Sequence, residues 1–298
     1  MTHPTSTATL GRRTVSRIGF GAMQLAGPGV FGPPTDPDAC RAVLRRAVEL
    51  GVNLIDTSQS YGPDVVNALI AEALRPYPDD LLIATKVGGT RDADGGWVRA
   101  SRPDQIRDLV EDDLRTLGVD RIGLVNLRRR VGGPDPDPIP IVEQVGVLTD
   151  LQAEGKVDLI GVSNVTADEI RLAVEAAPVA AVQNAFNIAD RTDEPVLELC
   201  RELAIAYVPY YPLGSAFTGG PPALASDPAI AAVAAAHDAT PTQVALAWLL
   251  GRYERLLLIP GTRSLAHLED NLAAGSLRLT DDDLAVLEHV AHLGGPGF

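Results

Sequence analysis

Cysteine is scarce: the 298-residue chain has two, Cys40 and Cys200, each inside an apolar pattern of helical spacing. That argues against a disulfide-stapled fold and predicts core packing in a reducing compartment. Basic residues are also in deficit. Lys and Arg total 25 against 39 Asp and Glu, a net charge of -14, and the one basic run, Arg128 to Arg130, is short. A surface of that sign repels nucleic acid and anionic lipid, so neither is expected as a partner. No apolar stretch reaches eighteen residues, and the opening MTHPTSTATL lacks both regions of a signal peptide. The expectation is a cytoplasmic protein with a loose tail over residues 1–9 and one domain over 10–298.

Several reactive motifs are missing as well. No Gly-x-Ser-x-Gly elbow occurs, and no Rossmann or phosphate-loop glycine pattern follows a strand-like run. Of the five histidines, His3, His237, His267, His289 and His292, only the last two have helical spacing, so no metal site is expected.

What is present is one rhythm, carried by a chain that is 46% hydrophobic. Short apolar runs occur at 19–24, 52–57, 81–86, 122–127, 158–163, 180–186, 205–210 and 256–260. Between them lie segments of helical spacing, among them 36–51, 102–118, 139–156 and 194–204. Asp36 and Ser101, each shortly ahead of a proline, are candidate helix starts; Gly51, Gly118 and Gly155 are candidate stops. Eight strands alternating with helices predict a parallel α/β sheet covered on its outer face, and a closed (β/α)8 TIM barrel fits the count. A doubly wound open sheet is the alternative. Three long loops, 88–101, 128–140 and 212–228, follow strands three, four and seven, and are candidate pocket walls or plain surface excursions.

Polar residues gather where these strands end: Asp56, Lys86, Asn126 with Arg128, Ser163 with Asn164, Gln183 with Asn184, and Tyr210. Burying an uncharged polar group without a partner costs roughly 2–7 kcal/mol, so six such strand ends on one rim point to a site. With no nucleophile or metal set on offer, acid–base chemistry by a phenol remains. A phenol holds its proton until about pH 10. An ammonium beside it favours the phenolate, and a carboxylate keeps that ammonium charged and aimed. Asp56, Tyr61 and Lys86 supply the three groups if strands two and three are neighbours.

The motifs DTSQSYG, IATK, GVSN, VQNAFN, PYYPLGS and IPGTRSLAHLEDNLAA resemble, in this order, signatures of the aldo-keto reductase superfamily, over about residues 10–290. VNLR with PYYPLG is similar to a bacterial branch that includes pyridoxal reductases. The resemblance implies a (β/α)8 barrel that binds NADPH across its rim and reduces a small-molecule carbonyl substrate to an alcohol. NADH is the less favoured cofactor, and a monomer or weak homo-oligomer is expected.

By the same resemblance Tyr61 is the proton donor and Asp56 with Lys86 the pair that tunes it, while Asn126 belongs to the substrate pocket. Cofactor-binding positions are Gly21, Met23 and Gln24 on the first strand, and Ser163, Asn164 and Gln183 on the carboxamide. Tyr210 stacks on the nicotinamide, Leu213 and Ser215 follow the pyrophosphate, and Asp270 with Asn271 match the adenine pair. Two departures stand out. Arg128 occupies the place of the family's histidine at the end of strand four. Gly261 and His267 stand where many members have lysine and arginine, leaving Thr262 and Arg263 for the 2'-phosphate. A redox-neutral enzyme and a non-catalytic NADP(H)-binding protein on the same barrel remain alternatives.

Overall fold

The computed structural model describes residues 6–130, 136–214 and 219–290. Of the loose tail expected over 1–9, residues 1–5 lie outside the described residues, while residues 7–9 belong to β1 (Thr7–Leu10), which pairs with β2 (Arg13–Ser16) as an antiparallel hairpin. The remaining strands are β3 (Phe20–Gly21), β4 (Leu54–Asp56), β5 (Leu82–Arg91), β6 (Trp97–Ala100) and β7 (Ile122–Arg128). After them come β8 (Val157–Ser163), β9 (Val179–Gln183) and β10 (Ala206–Tyr207). The order β3-β4-β5-β7-β8-β9-β10 is parallel throughout.

The eighth expected run, 256–260, forms bridges instead of a continuous strand. Leu256 bridges Tyr207 and Leu258 bridges Ile18, both in parallel sense. The backbone bonds Leu257 N–H to Tyr207 O (2.9 Å) and Gly19 N–H to Leu258 O (2.8 Å) join the two sheet edges. The sheet is therefore closed, and the open alternative falls.

Helices alternate with the strands as the spacing predicts. They are α1 (Pro37–Glu49), α2 (Val65–Leu74), α3 (Pro103–Leu117), α4 (Ile141–Ala153), α5 (Ala167–Ala176) and α6 (Glu194–Glu202). The C-terminal third adds α7 (Gly220–Ser226), α8 (Pro228–Ala236), α9 (Pro241–Arg252), α10 (Leu265–Ala273) and α11 (Asp281–Leu287). No helix among the described residues is long and apolar enough to cross a membrane.

Asp36 caps α1 as expected, its carboxylate accepting from Ala39 N–H at 2.9 Å. Ser101 does not cap α3. That place falls to Arg102, and the Ser101 hydroxyl donates to Asp137 instead (3.0 Å). Gly118 ends α3 in the left-handed region, φ 64°.

Strand parity divides the interior. Leu54, Leu82, Ala84, Leu124, Leu159, Ala181 and Leu257 fill the barrel, and Leu10 and Val15 of the hairpin join them. Ile83, Val125, Leu127, Val162 and Val182 belong instead to the larger cluster shared with the helices. Full burial of a side chain such as Leu10 is worth about 1.5–3 kcal/mol, so the hairpin is part of the core. Cys40 and Cys200 are free and buried, in keeping with core packing.

Candidate active site

Parity along β4, β5, β7, β8 and β9 sends Asp56, Lys86, Arg128, Ser163 and Gln183 inward above the apolar layer. Lys86 lies opposite Asn126, Arg128 opposite Ser163, and Ser163 opposite Gln183. Lys86 Nζ donates to Asp56 Oδ1 at 2.5 Å and to Thr57 O at 3.0 Å. The other oxygen, Asp56 Oδ2, accepts from Gln183 Nε2 at 2.9 Å. Burial alone would pull the Lys86 ammonium down. The charge of Asp56, the Tyr61 phenol and the hydrogen bond from Asp56 outweigh it and hold Lys86 above its usual value, so it stays charged.

Tyr61 is 5% exposed, with Lys86 Nζ 5.0 Å from its ring centroid. Gly62 makes the turn that sets it there. Its φ is +68°, and a Cβ would come within 2.7 Å of Gly32 O, so only glycine fits.

Behind the pair lies a buried polar relay that sequence spacing did not show. Asp113 on α3 is fully buried, accepting from Thr85 Oγ1 (2.6 Å) and Asn67 Nδ2 (2.7 Å). Asn67 in turn accepts from Thr57 Oγ1 at 2.9 Å. Thr57 and Thr85 adjoin Asp56 and Lys86 in sequence, so the relay ties both strand ends to α2 and α3. Burial pushes the Asp113 carboxyl up to about 7, against the hydrogen bonds from Thr85 and Asn67 and the charge of Lys86. A carboxyl raised in the folded state adds stability below its unfolded value, near 3.9, and that contribution is lost as pH rises through about 7. The parent should lose more thermal stability between pH 5 and pH 8 than Asp113→Asn, measured by Tm; equal losses would remove Asp113 from this role.

Arg128 lies at the cavity wall, 9% exposed, with its guanidinium carbon 4.4 Å from the Trp97 ring centroid. Its Nε and Nη2 groups are buried without an acceptor. Burial lowers its pKa, against Tyr61 and Asp56, but arginine starts high enough to remain a cation. Arg129 points away from the cavity, as strand phase requires, and pairs with Glu169 (2.9 Å), Ile139 O (3.0 Å) and Gln144. Trp97 was not anticipated. The segment 88–101, read as a loop, continues β5 and turns back as antiparallel β6. Asp-Gly within DADGG, between two runs able to pair, is the turn signal that could have shown it.

The cavity holds about 550 Å³. Asp56, Tyr61, Lys86 and Arg128 line one part of it, together with Trp97 and Tyr211. Gly21, Met23, Gln24 and Gly261 line another, and Ser163, Asn164, Gln183, Tyr210 and Leu213 are the other expected positions that reach it. Asn126 does not reach it. This residue is 1% exposed and packs against Gly161, where an added Cβ would sit 2.2 Å from its Oδ1. Thr262, Arg263, His267, Asp270 and Asn271 lie outside the lining. Asp270 is engaged by Gln243 (2.8 Å) and Thr240 (3.2 Å), while Arg263 and His267 are exposed. Ser215 lies outside the described residues.

Two lining acceptors are orphans: Asn164 Oδ1 and Gln183 Oε1 are buried and receive no hydrogen bond. A primary amide offers two N–H donors to such a pair. At Gly21 an added Cβ would meet Ile259 O at 2.3 Å, so that edge of the cavity is bare backbone.

The aldo/keto reductase family matches residues 17–292. The chain belongs to this family. It is 48% identical over 287 residues to pyridoxine 4-dehydrogenase of Escherichia coli (strain K12), covering 96% of this chain and 98% of that one. An uncharacterized oxidoreductase of Schizosaccharomyces pombe (strain 972 / ATCC 24843) is 39% identical over 282 residues, covering 95% and 89%. An aldo/keto reductase from Klebsiella pneumoniae, solved in complex with NADP and acetate, superposes with a TM-score of 0.78 at 25% identity, over 95% and 94% of the chains. This aldo/keto reductase is thus an enzyme of the oxidoreductase class on a single closed barrel.

Proposed function

We propose that this aldo/keto reductase uses NADPH to reduce an aldehyde or ketone to an alcohol, with Tyr61 as proton donor. The observation that carries the reading is the meeting, in one cavity, of the Asp56–Lys86 pair beside Tyr61 with the unmatched oxygens of Asn164 and Gln183. Bound along the rim, NADPH would supply a hydride from C4 of its nicotinamide. Asn164 and Gln183 would accept the two carboxamide N–H bonds, and Ser163 would add a hydroxyl partner. Tyr210 offers its ring as a stacking surface. Tyr61 gives its proton to the carbonyl oxygen, and Lys86, fixed by Asp56, stabilises the phenolate left behind. Arg128 stands where the resemblance places a histidine; it adds positive field for charge growing on that oxygen and cannot relay a proton.

The similarity to pyridoxine 4-dehydrogenase supports a pyridoxal-like substrate, an aldehyde on an aromatic ring. The intact Asp56, Tyr61 and Lys86 argue against a non-catalytic role. Loss of NADPH absorbance should follow addition of pyridoxal or a simple aromatic aldehyde. No turnover with any aldehyde or ketone would overturn the proposal.

The choice of NADPH over NADH rests on Arg263, an exposed cation just ahead of α10, whose first turn is capped by Ser264 onto His267 N–H (3.3 Å). A guanidinium and a helix start together favour a phosphate. Arg263→Glu should weaken NADPH by about tenfold or more while changing NADH about twofold or less, as read by fluorescence titration. Equal weakening of both would take Arg263 out of the 2'-phosphate site.

A further inference from the structure

The relay behind the Asp56–Lys86 pair closes into a ring. Thr57 Oγ1 donates to Asn67 Oδ1 on α2 at 2.9 Å, and Asn67 Nδ2 donates to Asp113 Oδ1 (2.7 Å) and Thr116 Oγ1 (3.0 Å) on α3. Asp113 Oδ2 accepts from Thr85 Oγ1 on β5 at 2.6 Å, and the backbone bond from Thr57 N–H to Ala84 O, 2.8 Å, joins the two ends. Thr57, Asn67, Thr85 and Asp113 are all 0% exposed, and none of them lines the cavity. Replacing such partners together by apolar groups of the same shape is nearly neutral for stability, so holding the fold does not account for four buried polar side chains. Hydrogen bonds add a fixed direction, which apolar packing does not.

The direction concerned is that of the Lys86 ammonium. Of its three N–H bonds, one goes to Asp56 Oδ1 (2.5 Å) and another to Thr57 O (3.0 Å). Asp56 by itself leaves the group free to spin about its Cε–Nζ bond. A second acceptor stops the spin, and the third N–H then has one heading. Thr57 is the first residue past β4, so its carbonyl lies beyond the strand. The residue is pinned instead at two other points, its N–H on Ala84 O and its hydroxyl on Asn67.

We propose that Asn67 and Asp113 are positioning residues for proton donation: through the Thr57 hydroxyl they fix the Thr57 carbonyl, and that carbonyl aims the Lys86 ammonium toward the Tyr61 phenol. This rests on the carbonyl-reductase reading above and extends it to residues on two outer helices. Asp56 then gives Lys86 its counter-charge and Thr57 gives it its angle. A phenol that surrenders its proton needs the ammonium aimed at the oxygen that becomes negative. A tilted ammonium weakens that stabilisation in the transition state and leaves untouched whatever holds the cofactor. Asp113 collects Asn67 on one oxygen and Thr85 on the other, so it couples β4 to β5, the strands that carry the pair.

The test uses three variants. Thr57→Val keeps the side-chain shape and removes the hydroxyl, Thr57→Ser keeps the hydroxyl, and Asn67→Leu breaks the ring one link further out with Thr57 intact. Rates are measured with NADPH and an aromatic aldehyde, and NADPH affinity by fluorescence titration. Thr57→Val and Asn67→Leu should each lower kcat by about fivefold or more, short of the ~100-fold that an ångström of misplacement can cost, with NADPH affinity within about twofold of the parent. Thr57→Ser should stay within about twofold in both measurements. A second readout is independent of the reaction. Lys86 and Lys156 are the only lysines in the chain, so lysine isotopically labelled at Nζ gives one NMR signal for each ammonium, and Lys156→Arg assigns them. The Lys86 signal should move in Thr57→Val and Asn67→Leu and keep its place in Thr57→Ser. A kcat within about twofold of the parent in Thr57→Val or Asn67→Leu, an equal loss of NADPH affinity, a Thr57→Ser as slow as Thr57→Val, or an unmoved Lys86 signal overturns the role. A Lys86 signal that moves as expected, in a protein whose parent turns over no carbonyl compound, upholds the aiming and defeats the reductase reading instead.

Discussion

Tyr61→Phe should lower turnover by about 100-fold or more while leaving NADPH affinity within about twofold, because the substitution removes a positioned general acid and nothing that holds cofactor. The ring stays against Lys86, and the turn at Gly62 does not depend on the hydroxyl. Stability should be unchanged, which makes the measurement clean. Steady-state rates with an aromatic aldehyde, beside a fluorescence titration with NADPH, separate the two effects. Turnover close to that of the parent would refute the assignment of Tyr61 as the acid and turn attention to Tyr211, another phenol on that wall.

Lys86→Met should be comparably damaging to turnover, by about 100-fold or more, and should also destabilise the fold. Asp56 is 4% exposed, and after the substitution Gln183 is the one side chain among the described residues that still hydrogen-bonds to it. Removing one partner of a buried pair costs about 3–5 kcal/mol. The two losses can be told apart by measuring rates well below the lowered Tm. A fully active Lys86→Met at that temperature would mean that the ammonium serves only to hold the barrel together. A slow enzyme that is as stable as the parent would instead show that the buried pair adds little to stability.

The strand ends were legible because parity is strict: once 122–127 is read as a strand, Asn126 and Arg128 must share a face, and Arg129 must leave it. Parity fixes direction but not height. Asn126 therefore shares the inward face with Arg128 and still sits one layer too deep to meet a substrate. The first and last strands were harder, since Phe20–Gly21 is short and 256–260 contributes bridges alone. The hairpin Thr7–Leu10 with Arg13–Ser16 escaped notice because its strands are four residues each and alternate with polar side chains. The Asp113 relay was not readable at all. It joins residues 57, 67, 85 and 113, whose proximity is a product of the fold.

Asp56 spends one oxygen on Lys86 and the other on Gln183, whose own oxygen is buried at the cavity without a hydrogen bond. In the proposed mechanism, proton chemistry and cofactor grip are thereby wired through a single carboxylate. Rim loops can be exchanged piecemeal to accept new substrates, but a redesign of the nicotinamide end that touches Gln183 reaches the acid as well. On the reading proposed above, an engineer seeking a different cofactor would do better at Arg263, an exposed residue outside the cavity lining.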